Sequence, residues 1–197
     1  MLAGRTLGVL GLDDAHCPIE RRPRGEDPEP AESVPLIGAF CRGRRFEGLL
    51  LSEVTRDGRD AVERMITMIV ESKYHPQLHL LLLDGITLAG FNMVDLPAIH
   101  AGTGLPTVAV MRRRPDLTAF RHAMSHVSEP EERWRCVEAA GPIHELRGFV
   151  FQVAGAEPEI AALALKHLTD RGQIPEPLRL AHLIGSALGL GESRGRA

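Results

Sequence analysis

The chain has 197 residues, 44% of them hydrophobic, and a formal net charge of −3 at pH 7. That length and apolar share suit one domain, 1–197, which can bury a core without disulfide or metal support. The near-balanced charge excludes a strongly basic protein that coats DNA, though not an enzyme that touches nucleic acid through a local patch.

Cys17, Cys41 and Cys136 are scattered, with no CxxC spacing, which fits a reducing compartment and not a disulfide framework or structural zinc site. No apolar run approaches the roughly 18 residues of a membrane span. The opening MLAGRTLGVLGLDD reaches two aspartates too early for a signal peptide. A cytoplasmic protein without a membrane partner is expected, of undetermined oligomeric state.

In chain order, residues 6–12 form a short apolar run ending in Asp13-Asp14, the pattern of a buried strand. Residues 18–32 are proline-rich and charged, and are expected to be an exposed, mobile loop. The runs 34–41 and 46–54, separated by Arg42-Gly43-Arg44-Arg45, predict an antiparallel hairpin. Asp57-Gly58 opens a helix in which Ala61, Met65, Met68 and Ile69 recur at helical spacing. A strand at 78–83 ends in Asp84-Gly85, a short helix spans 94–101 and a strand 106–111. The second half is mainly helical, over 116–126, 129–139, 157–169 and 175–188, with a strand or hairpin at 145–153. An early antiparallel meander followed by strand–helix–strand units predicts an α/β protein, a mixed sheet flanked by helices. That is the order of elements in a ribonuclease H-like fold.

The acidic strand ends carry the chemistry. With the first strand central and the 78–83 strand parallel beside it, Asp13 and Asp84 leave the sheet at one edge, where ligands of open α/β sheets gather. Two carboxylates so close repel unless a cation separates them. Mg²⁺ suits oxygen ligands and leaves positions open for phosphate, with Mn²⁺ as an alternative. Asp57 or Asp60 is a candidate third ligand. Asp14 is a candidate outer partner, because neighbours on a strand point to opposite faces. Each acid also has an ordinary reading: Asp84-Gly85 as a turn, and Asp57 and Asp60 as acids at a helix N-terminus. In the last helix, Leu180, Leu183, Ile184, Ala187 and Leu188 share one face and Arg179, His182 and Ser186 another. The polar stripe is either solvated or turned toward the carboxylates. In the second case His182 serves as metal ligand or proton shuttle and Arg179 grips phosphate.

The stretches GLDD (11–14), RDGRDA (56–61), LLLDGITLAGFNMVD (81–95), TGLPTVAV (103–110) and IPEPLRLAHLIGSALGLGESRGRA (174–197) identify the sequence as a member of the DUF99 (UPF0215) family, which resembles endonuclease V. The resemblance implies an endonuclease V-like fold and metal-dependent cleavage of DNA or RNA beside a deaminated base, as in DNA repair. It matches Asp13 and Asp84 to catalytic aspartates and Asp57 to a catalytic glutamate. It also matches Arg112 to a lysine at the site and His182 to an acidic or histidine residue near the metal. Three features depart from endonuclease V. Asp57 is one methylene shorter than Glu, Gly90 stands where a histidine is usual, and no counterpart of the strand-separating P-Y-I-P-G wedge is present. Two other functions fit the same residues: a non-catalytic nucleic-acid-binding protein on this fold, and a metal-dependent hydrolase of small phosphoesters.

Overall fold

The computed structural model describes residues 6–15 and 32–193. The expected loop at 18–32 lies outside them except for Glu32, as do Cys17 and the last four residues. Strands β1 (Gly8–Asp14), β2 (Ser33–Arg42) and β3 (Arg45–Thr55) form the antiparallel meander. They are followed by α1 (Ala61–Val70), a 3₁₀ turn (His75–Gln77), β4 (Leu80–Asp84), the two-residue strands β5 (Thr87–Leu88) and β6 (Asn92–Met93), α2 (Leu96–Thr103) and β7 (Thr107–Met111). Then come α3 (Leu117–Met124), α4 (Pro130–Ala139), β8 (His144–Leu146), β9 (Phe149–Ala154), α5 (Pro158–Leu168) and α6 (Glu176–Leu190). Among the described residues the main sheet has seven strands in the order β3-β2-β1-β4-β7-β9-β8. β1, β4 and β7 are parallel neighbours, and the outer strands are antiparallel. The mixed sheet expected from the element order is the one observed. The β5–β6 hairpin was not foreseen.

Side-chain alternation along β1 and β4 divides the core between the two faces of the sheet. Leu10, Leu12, Leu81 and Leu83 pack under α1 and α2 with Met65, Ile69 and Ile99. Val9, Leu80 and Leu82 pack on the other side with Val110, Phe151, Leu165 and Leu178. Leu12 pairs with Leu83 across the parallel ladder. The next residue on each strand therefore faces the α6 side, and those residues are Asp13 and Asp84.

The last helix lies against β1 in a way its apolar pattern does not suggest. Its buried residues are Pro177, Leu178, Ala181, Gly185 and Ser186, whereas Leu188 is 54% exposed. Close approach requires this. A Cβ at Gly11 would stand 2.3 Å from the Pro177 carbonyl, and one at Gly185 2.7 Å from the Asp14 carbonyl oxygen. Only a stripe of small residues fits so near a strand backbone, so the helix turns Ala181 and Gly185 inward and leaves Leu180 and Ile184 to pack on Ile37 and Ala39 of β2. Of the two readings of the polar stripe, the solvated one does not hold for His182 and Ser186. Ser186 is buried and His182 half-buried.

Candidate active site

Three side chains meet at the carboxyl ends of β1 and β4. One ligand atom from each of Asp13, Asp84 and His182 lies within 4.8 Å of the others. Asp13 is 7% exposed. One of its carboxylate oxygens, Oδ1, accepts the Asp14 N–H at 3.0 Å, and the other, Oδ2, is hydrogen-bonded to His182 Nδ1 at 3.0 Å. That bond to Asp13 raises the His182 pKa above the ordinary histidine value, against the opposing effect of burial. The Asp84 carboxyl is also pushed up, first by burial and then by the charge of Asp13. Arg112, half-exposed at the end of β7, stands 3.8 Å from Asp84 Oδ2 and partly offsets this. Two crowded carboxylates beside an imidazole, with a cation approaching from only one side, form a donor set that fits a divalent ion.

Asp14 points to the opposite face. Its carboxylate accepts the N–H of Ala89, and burial followed by repulsion from Asp13 lifts its pKa from 3.8 to about 6. Asp57 belongs to this second locality and not to the Asp13–Asp84–His182 group. It occupies a turn at φ +50°. Its N–H donates to the Ala89 carbonyl at 2.9 Å and its Oδ1 accepts the Phe91 N–H at 2.8 Å. Gly90, between these partners, has φ +89°, and a Cβ there would come 2.3 Å from Asp57 Oδ1. Any side chain in place of Gly90 would displace the Asp57 carboxylate.

Asp60 precedes α1 but does not cap it. Its carboxylate accepts from Thr55 N at 3.0 Å, Thr55 Oγ1 at 2.9 Å and Asn92 Nδ2 at 2.7 Å. Burial alone would raise its pKa; these bonds outweigh burial and hold the carboxyl below its ordinary value. Asp60 thus ties β3 to β6, a structural role. Arg179 is likewise not turned to the carboxylates. Glu176 holds its guanidinium at 2.7 and 2.5 Å, and it lines a surface hollow with Arg44, Asp170 and Arg171. One helical turn separates Arg179 from His182, and the ion pair at the start of α6 fixes it there.

Two features have no counterpart in the sequence reading. Arg133, 3% exposed, donates to the carbonyls of Asp57 at 2.6 Å, Gly58 at 2.9 Å, Ser128 at 2.8 Å and also Phe91. It pins the Asp57 turn to the β5–β6 region. The Glu/Arg-rich composition of α4 makes it look like a solvent-exposed residue. A cavity of about 340 Å³ also opens beyond Gly85, lined by Ile86, Met111, Leu117, Phe120, Ile143 and Gln152 among others. It adjoins an open hollow that includes Asp84, Arg112 and Phe120.

The mixed sheet has the ribonuclease H-like fold, which solved structures share. Endonuclease V of Ciona intestinalis, in complex with DNA containing an inosine, superposes with a TM-score of 0.53 at 15% identity, over 91% of this chain and 84% of that one. Endonuclease V of Bacillus subtilis gives 0.55 at 11% identity, over 92% and 80%. The chain itself belongs to the Endonuclease dU family, whose profile matches residues 5–189. A UPF0215 protein of Methanothermobacter thermautotrophicus is 43% identical over 196 residues, covering 97% of this chain and 92% of that protein. One from Deinococcus radiodurans is 39% identical over 193 residues, covering 98% and 94%. A structure from Archaeoglobus fulgidus, 36% identical, superposes with a TM-score of 0.81 over 92% of this chain and 98% of that one.

Proposed function

We propose that this protein is a divalent-metal-dependent endonuclease that cuts a nucleic-acid strand beside a deaminated base, with deoxyuridine in DNA as the first substrate to test. The observation that carries the proposal is the convergence of Asp13, Asp84 and His182 within 4.8 Å at the ends of two neighbouring parallel strands. Asp13 and Asp84 would hold Mg²⁺ or Mn²⁺, and such an ion supplies a water of lowered pKa and stabilises charge on a phosphate oxygen.

The remaining work falls to the chain. Asp13 fixes the His182 ring through Nδ1 and leaves Nε2 to exchange a proton with the reacting oxygens. The same bond keeps His182 protonated to higher pH than a free histidine, which suits it to protonate a leaving oxygen. Arg112, beside Asp84 and half-exposed, is placed to hold the phosphate. The names of the family and of the endonuclease V structures support nucleic acid as partner and a deaminated base as target. Among the described residues no helix is long and apolar enough to cross a membrane, in keeping with a nuclease of the cytoplasm. Asp57 supports a second reading, binding without cleavage, because its carboxylate is engaged by Phe91 outside the three-residue group.

The test is incubation of labelled single- and double-stranded oligonucleotides carrying uracil, inosine or no lesion with Mg²⁺, Mn²⁺ or EDTA. Cutting next to a lesion that requires the metal is expected. Tight binding with no cutting in any metal would favour the second reading.

A further inference from the structure

The cavity beyond Gly85 is mainly apolar, and one buried polar side chain faces it. Gln152 of β9 is 3% exposed. Its Nε2 donates to the Gly141 carbonyl at 2.7 Å. Among the described residues no fully buried side-chain oxygen or nitrogen lacks a partner, and Gly141 is the sole partner of this carboxamide. Its oxygen is therefore accessible, and the space it borders is the cavity.

Since a carbonyl accepts only from an N–H, the bond to Gly141 also fixes which end of the amide is nitrogen. What remains for a ligand is one acceptor, Oε1, beside one N–H, in a single orientation. Phe120 contributes an aromatic ring to the cavity wall. Gly85, at φ +84° with open space around its Cβ position, leaves the entrance from Asp84 clear.

Resting on the nuclease reading above, we infer that Gln152 is the specificity-determining residue, reading the hydrogen-bonding edge of a nucleotide base turned out of its strand into this cavity. Deamination replaces an amino group by a carbonyl and places a proton on the adjacent ring nitrogen. An edge that presented an acceptor nitrogen beside an NH₂ donor then presents an N–H donor beside a C=O acceptor. The fixed carboxamide matches the second pattern: Oε1 accepts the ring N–H and the free amide N–H donates to the carbonyl. An unmodified amino base in the same position meets acceptor with acceptor and donor with donor, and no rotation of the amide relieves this without breaking the bond to Gly141. The ligand class is therefore a base with a lactam edge, uracil or hypoxanthine. Thymine and guanine also carry that edge, but they are held in matched pairs, whereas a deaminated base sits in a mismatch and unstacks at lower cost.

The experiment measures binding of single-stranded oligonucleotides that differ at one central base (uracil, cytosine or N3-methyluracil) and otherwise contain only adenine and cytosine, so that no other lactam edge is present. It uses fluorescence anisotropy in Ca²⁺, with parallel cleavage assays in Mg²⁺. The wild type is expected to prefer uracil over cytosine by about 10-fold or more, the discrimination typical of mismatched buried hydrogen bonds. Gln152→Met, of similar length and shape, should bring that ratio close to one. In the wild type, N3-methyluracil, which lacks the N–H, should bind no better than cytosine, a comparison that needs no variant to fold. Three results would each overturn the assignment: no preference in the wild type, an unchanged ratio in Gln152→Met, or N3-methyluracil bound as well as uracil. A preference for uracil that depends on Gln152, without cleavage in Mg²⁺, would uphold the assignment while refuting the nuclease reading.

Discussion

Asp14 should make the protein less stable as pH rises through the range where most carboxylates have finished titrating. Burial and the neighbouring charge of Asp13 lift its pKa from 3.8 to about 6. Between those values the native state holds a proton that the unfolded chain has released, so native stability falls as pH increases across the window. Once both states are ionised the cost is constant. A rise from 3.8 to about 6 corresponds to about 3 kcal/mol. Asn at this position keeps an oxygen for the Ala89 N–H but carries no charge. Asp14→Asn should therefore match the wild type near pH 4, gain on it progressively to pH 6, and be more stable by about 3 kcal/mol at pH 7 and above. Urea denaturation followed by circular dichroism from pH 4 to 8, with EDTA present so that no cation offsets the acids, reads this directly. A stability difference independent of pH, or a variant less stable than the wild type at pH 7, would refute the reasoning.

Two further substitutions probe how the site is held. Gly11→Ala places a methyl 2.3 Å from the Pro177 backbone, so α6 must lift from β1; a loss of about 1–3 kcal/mol in chemical denaturation is expected, together with slower cleavage as His182 moves away from Asp13. Wild-type stability in this variant would show that the helix does not depend on that close approach. Arg133→Met removes the donor shared by four backbone carbonyls and should cost about 3 kcal/mol, with faster amide exchange at Phe91. An unchanged exchange rate there would show that the guanidinium does not fix the Asp57 turn.

Much of the fold was legible because it rests on local patterns. The hairpin around Arg42-Gly43-Arg44-Arg45, the helix with Ala61, Met65 and Ile69, and the helix ending near Ala139 all follow from periodicity and turn residues. The pairing of Asp13 with Asp84 was legible too. It needs only two buried strands, parallel and adjacent, whose alternation leaves both acids on one face. The inner face of α6 was not, since the choice between its leucines and its Ala181–Gly185 stripe depends on Gly11, a residue far away in sequence. Asp57 was a candidate metal ligand from its place before the helix and from the family match, whereas its turn is held by Phe91, Gly90 and the buried Arg133. Gln152 gave no signal, because its role comes from a cavity built by α3, α4 and the ends of β4 and β7.

The most direct test of the central claim is single-turnover cleavage of a uracil-containing oligonucleotide in Mn²⁺ by the wild type, Asp13→Asn, Asp84→Asn and His182→Ala, with Mn²⁺ binding measured calorimetrically on the same samples. Loss of metal binding and at least a 100-fold fall in cleavage are expected for both Asn variants, on the order of what one transition-state-stabilising group contributes. His182→Ala should retain metal binding better than it retains rate. Cleavage persisting at the wild-type rate in Asp13→Asn and Asp84→Asn would contradict the assignment of this site.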